Sequence, residues 1–543
     1  MRSLSNKIIL TAALLSGLFA SCKKLDLVPT DRFTDENYWT TTEKASGVLN
    51  TAYSQIFNTD RFFYNEAMSD NAYNGRGDNQ GAASLAAGTY DPSLGRLKEE
   101  WNDRYSGIKT CNLFLGNVDK VSNMDPTLKA RMKAETRFIR AFQYFQLMTW
   151  YGDVPLFDKD LSLEEAQKIT RTPKAQVLAF VLAELDAAAA DLPITSAYAA
   201  TDKGRVTKGA AIALKARVLL YEGRWQEVIT TCEALMSGTN GSYSLFPSYE
   251  GLFLPANEHN SEVILDLQYL PTFRTYGNLF DMAPISVGAR LNAMSATQEL
   301  VDNYLMMNGK TIREAGSGYV ESNPYVNRDP RLTNTLVYHN YQWKRADGST
   351  KTIYIKPGSD PDQSQKLDEY AAGGTNSPTG YYLRKYYDPT SLPNFVSGLN
   401  LILIRYADIL LMYAEAKNEL GQLDADAWNK SVRLTRSRAG FTDAAALDFN
   451  GTPGVEGLRT IVRNERRSEF AMEGLRIFDI RRWRIAEQVL NGWAHGAQYG
   501  PASIDNGYIR ANQRVFDAGK HYLWPIPRDE RAINPNLSQN PGW

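Results

Sequence analysis

Residues 134–157 read A-E-T-R-F-I-R-A-F-Q-Y-F-Q-L-M-T-W-Y-G-D-V-P-L-F, and residues 209–229 read G-A-A-I-A-L-K-A-R-V-L-L-Y-E-G-R-W-Q-E-V-I. In the first, Phe138, Ala141, Phe142, Phe145 and Met148 recur three and four apart. That spacing puts apolar side chains on one helix face, until Gly152 and Pro155 close the helix. The second stretch is a helix rich in small residues, a turn at Gly223 and a further amphipathic helix. A third, Y-A-D-I-L-L-M-Y-A-E-A-K-N-E-L-G-Q-L-D-A-D-A at 406–427, repeats that plan around Gly421. Alanines let helices approach closely, and glycine accepts the left-handed backbone that ends a helix. Helix pairs of this kind are tetratricopeptide-like units. Because they are degenerate and far apart, the expected fold is mainly α: a helix-pair framework interrupted by long loop and short β-hairpin insertions.

Working outward, helical patterns also cover 35–57, 97–119, 174–190, 457–472 and 475–490. The framework is therefore expected over 30–240 and 400–490, within one domain from 22 to 543. From 240 to 400, Gly, Pro, Asn, Asp and Tyr become frequent, with short β-like runs E-V-I-L-D-L-Q-Y at 262–269 and T-I-Y-I at 352–355. A second loop-rich stretch runs from Ser69 to Gly95. Long loops in a compact domain are commonly functional, so a ligand is expected at these two stretches.

At the start, Arg2 and Lys7 precede an uncharged, mostly apolar stretch over 8–20, followed by Ala20, Ser21 and Cys22. This reads as a lipoprotein signal over 1–21 with lipidation at Cys22; the stretch is too short to span a bilayer, which needs about 20 residues. Phe19 stands where an aliphatic residue is usual. An ordinary secretory signal with an incidental cysteine is the alternative. The net charge of −1 and the lack of a basic stripe give no reason to expect nucleic acid. The 30 Tyr, 21 Phe and 10 Trp supply rings for a core and for a ligand surface. Cys111 and Cys232 fall inside helical patterns among apolar neighbours, which favours buried free thiols over a bridge. The histidines lack metal-ligand spacing, and no G-x-S-x-G, H-E-x-x-H or phosphate loop occurs. Neither metal nor cofactor is expected.

The charged run from Glu465 to Arg482 most resembles a catalytic site. A glycosidase, however, needs a carboxyl of raised pKa, and arginines flanking every carboxylate lower it. A structural network is the better reading. Trp101, Tyr105, Ile108 and Asn112 share one helix face, which suits core packing better than a sugar platform. In the loops, Asp70, Asn71, Tyr73, Asn74 and Arg76 combine carboxylate, amide, guanidinium and ring, the mixture that sugar hydroxyls require. Self-capping Asx turns would explain the same residues. Tyr338, Tyr341 and Trp343 form a second candidate group, although their alternation also fits the buried face of a strand. Arg384, beside Tyr381 and Tyr382, is a third candidate.

Several segments together resemble the SusD/RagB family of Bacteroidetes outer-membrane nutrient-uptake lipoproteins. They are L-D-L-V-P-T-D-R-F-T-D-E-N-Y-W at 25–39, W-N-D-R-Y-S-G-I-K-T-C-N at 101–112, Y-G-D-V-P-L at 151–156 and G-R-V-T-K-G-A-A at 204–211. Later come R-Y-A-D-I-L-L-M-Y-A-E-A at 405–416, E-R-R-S-E-F-A-M-E-G-L-R-I-F-D-I-R-R-W at 465–483, W-P-I-P at 524–527 and Q-N-P-G-W at 539–543. The resemblance implies a non-catalytic, lipid-anchored subunit of a TonB-dependent uptake system on the outer membrane, facing outward. It would act as a lid over a SusC-like TonB-dependent outer-membrane transporter, capturing an oligosaccharide, or in some members a peptide, and passing it on. A lipid-anchored glycoside hydrolase and a tetratricopeptide scaffold for protein partners are the alternatives from other classes. Outward orientation rests on the resemblance alone, since Lys23-Lys24-Leu25-Asp26 is not an acidic run.

Overall fold

The computed structural model describes residues 38–543. Cys22, the segment before it and most of the 25–39 motif lie outside the described residues. Eleven helices matter to the argument: α1 (Thr42–Ser54), α2 (Thr59–Ala67), α3 (Gly95–Asn117), α4 (Pro126–Tyr151), α5 (Lys174–Asp191), α6 (Lys208–Tyr221), α7 (Trp225–Met236), α8 (Tyr406–Glu419), α9 (Val432–Ala439), α10 (Gly454–Glu469) and α11 (Arg476–Arg482).

Local chemistry sets their ends. Asp125 caps α4 by accepting from Leu128 N at 2.8 Å, with Pro126 in the first turn. Thr207 caps α6 by accepting from Ala210 N at 3.1 Å. Gly223 (φ +66) reverses the chain between α6 and α7. Successive helices then stack: α3 on α4, α4 on α5, α5 on α6, α6 on α7, α7 on α8, and α8 on α10. The buried alanines at 210, 211, 213 and 216 bring α6 close to its neighbours. In α4, burial extends to almost every residue from Phe138 to Met148, so this helix is the centre of the core.

Between α7 and α8 the chain leaves the stack and returns. Strand β2 (Val263–Leu267) pairs antiparallel with β8 (Leu401–Arg405), joining the two ends of the excursion at its base. Within it lie β3 (Met294–Ala296), β4 (Leu336–Val337), β5 (Tyr341–Lys344), β6 (Thr350–Ile353) and β7 (Tyr382–Leu383). β4 pairs with β7, β5 with β6, and β3 with β1 (Ala72–Asn74) from the earlier loop.

An ion-pair network fastens the excursion to the framework, and it is the charged run singled out in the sequence. Glu469, on α10, faces Arg331 at 2.8 Å, Arg405 at 2.6 Å and Arg438. Glu465 takes Arg331 at 2.7 Å and Arg436 at 2.9 Å. Arg466 joins Asp408 at 2.5 Å to Asp479 at 2.8 Å, and Glu473 takes Arg405 and Lys385, both at 2.7 Å. All are buried. Burial alone would raise the carboxyls of Glu465, Glu469 and Glu473, but the facing cations outweigh it and hold all three below the ordinary range. Most partners come from other elements; Asp479 and Arg482, three apart on α11, pair within their own helix at 2.8 Å.

Two elements differ from expectation. The stretch 475–490 divides into α11 and a short helix Ala486–Val489, because Arg484 turns left-handed (φ +57) and stacks over Tyr522 at 4.1 Å. Helix α2 lies outside the helical patterns read from the sequence, and it buries polar Arg61, Asn65 and Glu66 together with Phe62 and Phe63. Cys111 and Cys232 are free and buried, and Trp101 packs in the core as its spacing suggested. No helix of the described residues is long and apolar enough to cross a membrane.

Candidate ligand-binding face

The loop after α2 reaches the surface through a buried anchor. Asp70 accepts from Nε and one terminal nitrogen of Arg476, at 2.8 and 2.9 Å, and pairs with Arg467 at 3.0 Å. Burial would raise its carboxyl, but Arg467 and Arg476 prevail and hold it well below the usual carboxylate range. Asn71 donates to Glu66 at 2.6 Å and accepts from Arg467 at 2.7 Å. Thr297 closes the join, its hydroxyl donating to the Asp70 carbonyl at 2.7 Å. With its amide oriented to suit its neighbours, Asn74 donates to the carbonyls of Ala293 at 2.9 Å and Arg76 at 3.2 Å and accepts from Asn79 N at 2.8 Å. Asp70, Asn71 and Asn74 are thus buried and already partnered, a correction to the expectation that they face a ligand. Together they hold the loop to α10, α11 and β3.

What the anchor presents is Tyr73 and Arg76, both half-buried. Burial raises the Tyr73 hydroxyl, with Arg514 opposing, and Arg76 keeps an unpartnered Nε. Gly75 lies directly against Pro378, beside the Tyr73 ring, and Gly380 lies against Ala497 and Tyr499. Tyr499 adjoins the Tyr325 hydroxyl, which donates to Tyr381 at 3.5 Å. The Tyr325 ring stacks on Tyr338, centroids 4.0 Å apart and planes 19° apart. The segment 378–380 thus touches the first loop at one end and Tyr499 at the other, and Tyr73, Arg76, Tyr325, Tyr338 and Tyr499 all keep part of their surface in solvent.

Tyr341 and Trp343 prove to be the inward positions of β5, whose burial alternates along the strand. They form a small core with Val337, Ile353, Ile355 and Tyr382. Arg384 lies beneath the same sheet, its guanidinium 4.4 Å from the Trp343 ring and 4.5 Å from Tyr387. These three also depart from the expectation of ligand contact, because their surfaces are covered by protein; they stiffen the platform on which Tyr338 sits. Residues that spacing alone did not single out are Tyr325 and Tyr499, from segments without strand or helix pattern. Their only sequence signal is the excess of tyrosine. Among the described residues no cluster of three or more metal-ligating side chains is present.

Tyrosine rings with hydroxyls at their edges, a guanidinium and backbone amides suit a polar ligand with flat C–H faces. A tetratricopeptide-like framework bearing such a face on an irregular insertion defines a helical ligand-binding protein. The chain belongs to the SusD family, whose model matches residues 262–543, while a second model, described as "Starch-binding associating with outer membrane", matches residues 29–220. SusD-like protein P25 of Formosa agariphila is 26% identical over 482 residues, covering 85% of this chain and 82% of that protein. A crystal structure described as a SusD-like carbohydrate binding protein, from Bacteroides fragilis, superposes with a TM-score of 0.82 at 30% identity, covering 92% of this chain and all of that one. The starch-binding protein SusD of Bacteroides thetaiotaomicron is 26% identical over 214 residues, covering 38% of this chain and 36% of that one.

Proposed function

We propose that this protein is a non-catalytic, lipid-anchored glycan-binding subunit of a TonB-dependent uptake system, held at the outer membrane through Cys22 and facing the cell exterior. It captures oligosaccharides on the face formed by Tyr73, Arg76, Tyr325, Tyr338 and Tyr499 and hands them to a SusC-like transporter. The observation that carries this reading is the group of partly exposed tyrosines on a SusD-family framework, with Tyr325 stacked on Tyr338. The carbohydrate binding named for the Bacteroides fragilis relative supports the ligand class. The arginine-locked carboxylates of α10 and α11 support a binding role over a hydrolytic one, because an ionised, fully paired carboxylate is a poor general acid. A shallow site of this kind binds weakly, which suits release into a transporter.

Titration of the purified protein with panels of neutral oligosaccharides and of short peptides, followed by chromatography of the saccharides, tests the function. Saturable binding of a glycan that is recovered intact is expected. Peptide binding alone, or shortened saccharides whose production is lost on mutation of one carboxylate, would overturn it. Protease shaving of intact cells tests the orientation: an untouched protein would face the periplasm.

A further inference from the structure

A cavity of about 620 Å³ lies away from the tyrosine face, between the end of α4, the start of α5, residues 478–484 and the closing segment 522–541. Its size is that of a small-ligand pocket, which typically spans roughly 300–1,000 Å³. None of residues 70–76, 325–343 or 384 lines it. Its walls hold Arg171, Lys174, Arg481, Arg482 and Arg484.

The state of these cations differs from that of the buried arginines in the network. Arg482 is saturated by Glu415 at 2.5 Å and Asp479 at 2.8 Å, and Lys174 by Glu222 at 2.7 Å. Arg171 spends its donors on neutral groups, among them the carbonyls of Asp153 at 2.8 Å and Ser538 at 3.1 Å. Arg481 donates to the Tyr522 carbonyl and lies 4.9 Å over Trp150; Arg484 lies 4.1 Å over Tyr522. Neither of these two makes an ion pair among the described residues. Burial pushes the Arg481 guanidinium down to about 10, with Tyr90 opposing and Arg484 adding to the shift. Asp153, whose charge acts on Arg171, accepts from the backbone N–H of Lys174, the first residue of α5, at 2.8 Å. The cavity thus keeps two neighbouring guanidinium groups without a counter-charge, beside the rings of Tyr221, Phe478 and Tyr522.

Two like charges held together, Arg481 partly buried and Arg484 exposed at the rim, are stabilised by an anion placed between them, and guanidinium groups match planar or tetrahedral oxyanions through paired hydrogen bonds. We propose that this cavity is a second binding site, for an acidic saccharide: a sugar carrying a carboxylate or sulfate, its oxyanion taken by Arg481 and Arg484 and its ring lying against Tyr522.

Calorimetric titration of the full protein tests this with four probes: trigalacturonate, a sulfated disaccharide, neutral maltotriose and triglutamate. The carboxylate and sulfate arms distinguish the two oxyanion sources. One or both acidic saccharides should bind, weakening as salt rises, while maltotriose leaves this site silent. Arg484→Gln, an exposed position where folding is unthreatened, should weaken that binding about tenfold, as loss of one charge-assisted hydrogen bond implies. Arg481→Gln, with thermal unfolding as a check on folding, should do the same. No heat from either acidic saccharide, an affinity unchanged in Arg484→Gln, or tighter binding of triglutamate would overturn the proposal. Neutral-glycan binding that is weakened in Tyr338→Ala and unchanged in Arg484→Gln separates this site from the tyrosine face.

Discussion

Replacing Asp70 by asparagine tests how the binding loop is held. The change keeps the shape and removes the charge that satisfies Arg467 at 3.0 Å and Arg476 at 2.8 and 2.9 Å. An amide accepts from one guanidinium but turns its own N–H groups toward the other, so one buried cation loses its partner. Breaking a buried pair in this way costs about 3–5 kcal/mol. Unfolding entropy near 2 cal/mol/K per residue translates that into a Tm lowered by roughly 3–5 °C for a cooperatively melting chain of this length. The change should also be local: hydrogen exchange should quicken in residues 70–80, which Asp70 ties to α10 and α11, and much less in α4. A double-mutant cycle with Arg476→Gln should give a coupling of at least about 1 kcal/mol, as expected for contacting residues. A Tm within about 1 °C of the parent, with unchanged exchange over 70–80, would refute the clamp.

Other positions give independent checks. Asp266 is buried, and with Glu258 adding to the effect its pKa is raised from 3.8 to about 7. The folded state therefore prefers the neutral acid, and the stabilisation is complete below the ordinary value and lost as pH rises through about 7. At about 1.4 kcal/mol per unit this amounts to at most about 4 kcal/mol, so Asp266→Asn should flatten the fall in Tm between about pH 4 and pH 7; an unchanged slope contradicts it. Trp524 stacks on Trp150 at 3.9 Å and is buried, so Trp524→Ala should cost about 3–5 kcal/mol in thermal unfolding. Cys111 is buried, its thiol pushed up to about 12, and Cys232 is raised well above the ordinary value by burial. Neither should react with a thiol reagent until the protein unfolds, and rapid labelling of the native protein would count against this.

Much of the fold could be read in advance because the segments that carried the resemblance are the ones that build the framework. Thr207 in G-R-V-T-K-G-A-A is a helix cap, and Asp408 and Glu415 in R-Y-A-D-I-L-L-M-Y-A-E-A take buried arginines. In the closing Q-N-P-G-W, Asn540 donates to the carbonyls of Tyr151 and Trp524. Such residues keep to periodicity or to capping chemistry, so their roles show in the order of the residues. The candidate site was read less well. Asp70, Asn71 and Asn74 have the composition of a sugar site, but partners hundreds of residues away, such as Arg467 and Arg476, decide that they are buried. Tyr341 and Trp343 followed the strand alternation that was their competing explanation. Tyr325 and Tyr499 reach the face through loops whose paths no local pattern specifies.

The central claim is that the tyrosine face binds a glycan without cleaving it. Calorimetric titration of the protein and of Tyr338→Ala with the neutral glycan found by panel screening tests it most directly. The account predicts saturable heat, intact saccharide on chromatography afterwards, and an affinity about tenfold weaker in the variant, the loss of about 1.4 kcal/mol that an aromatic contact supplies. Equal affinity in the variant, or saccharide shortened by the protein, would contradict it.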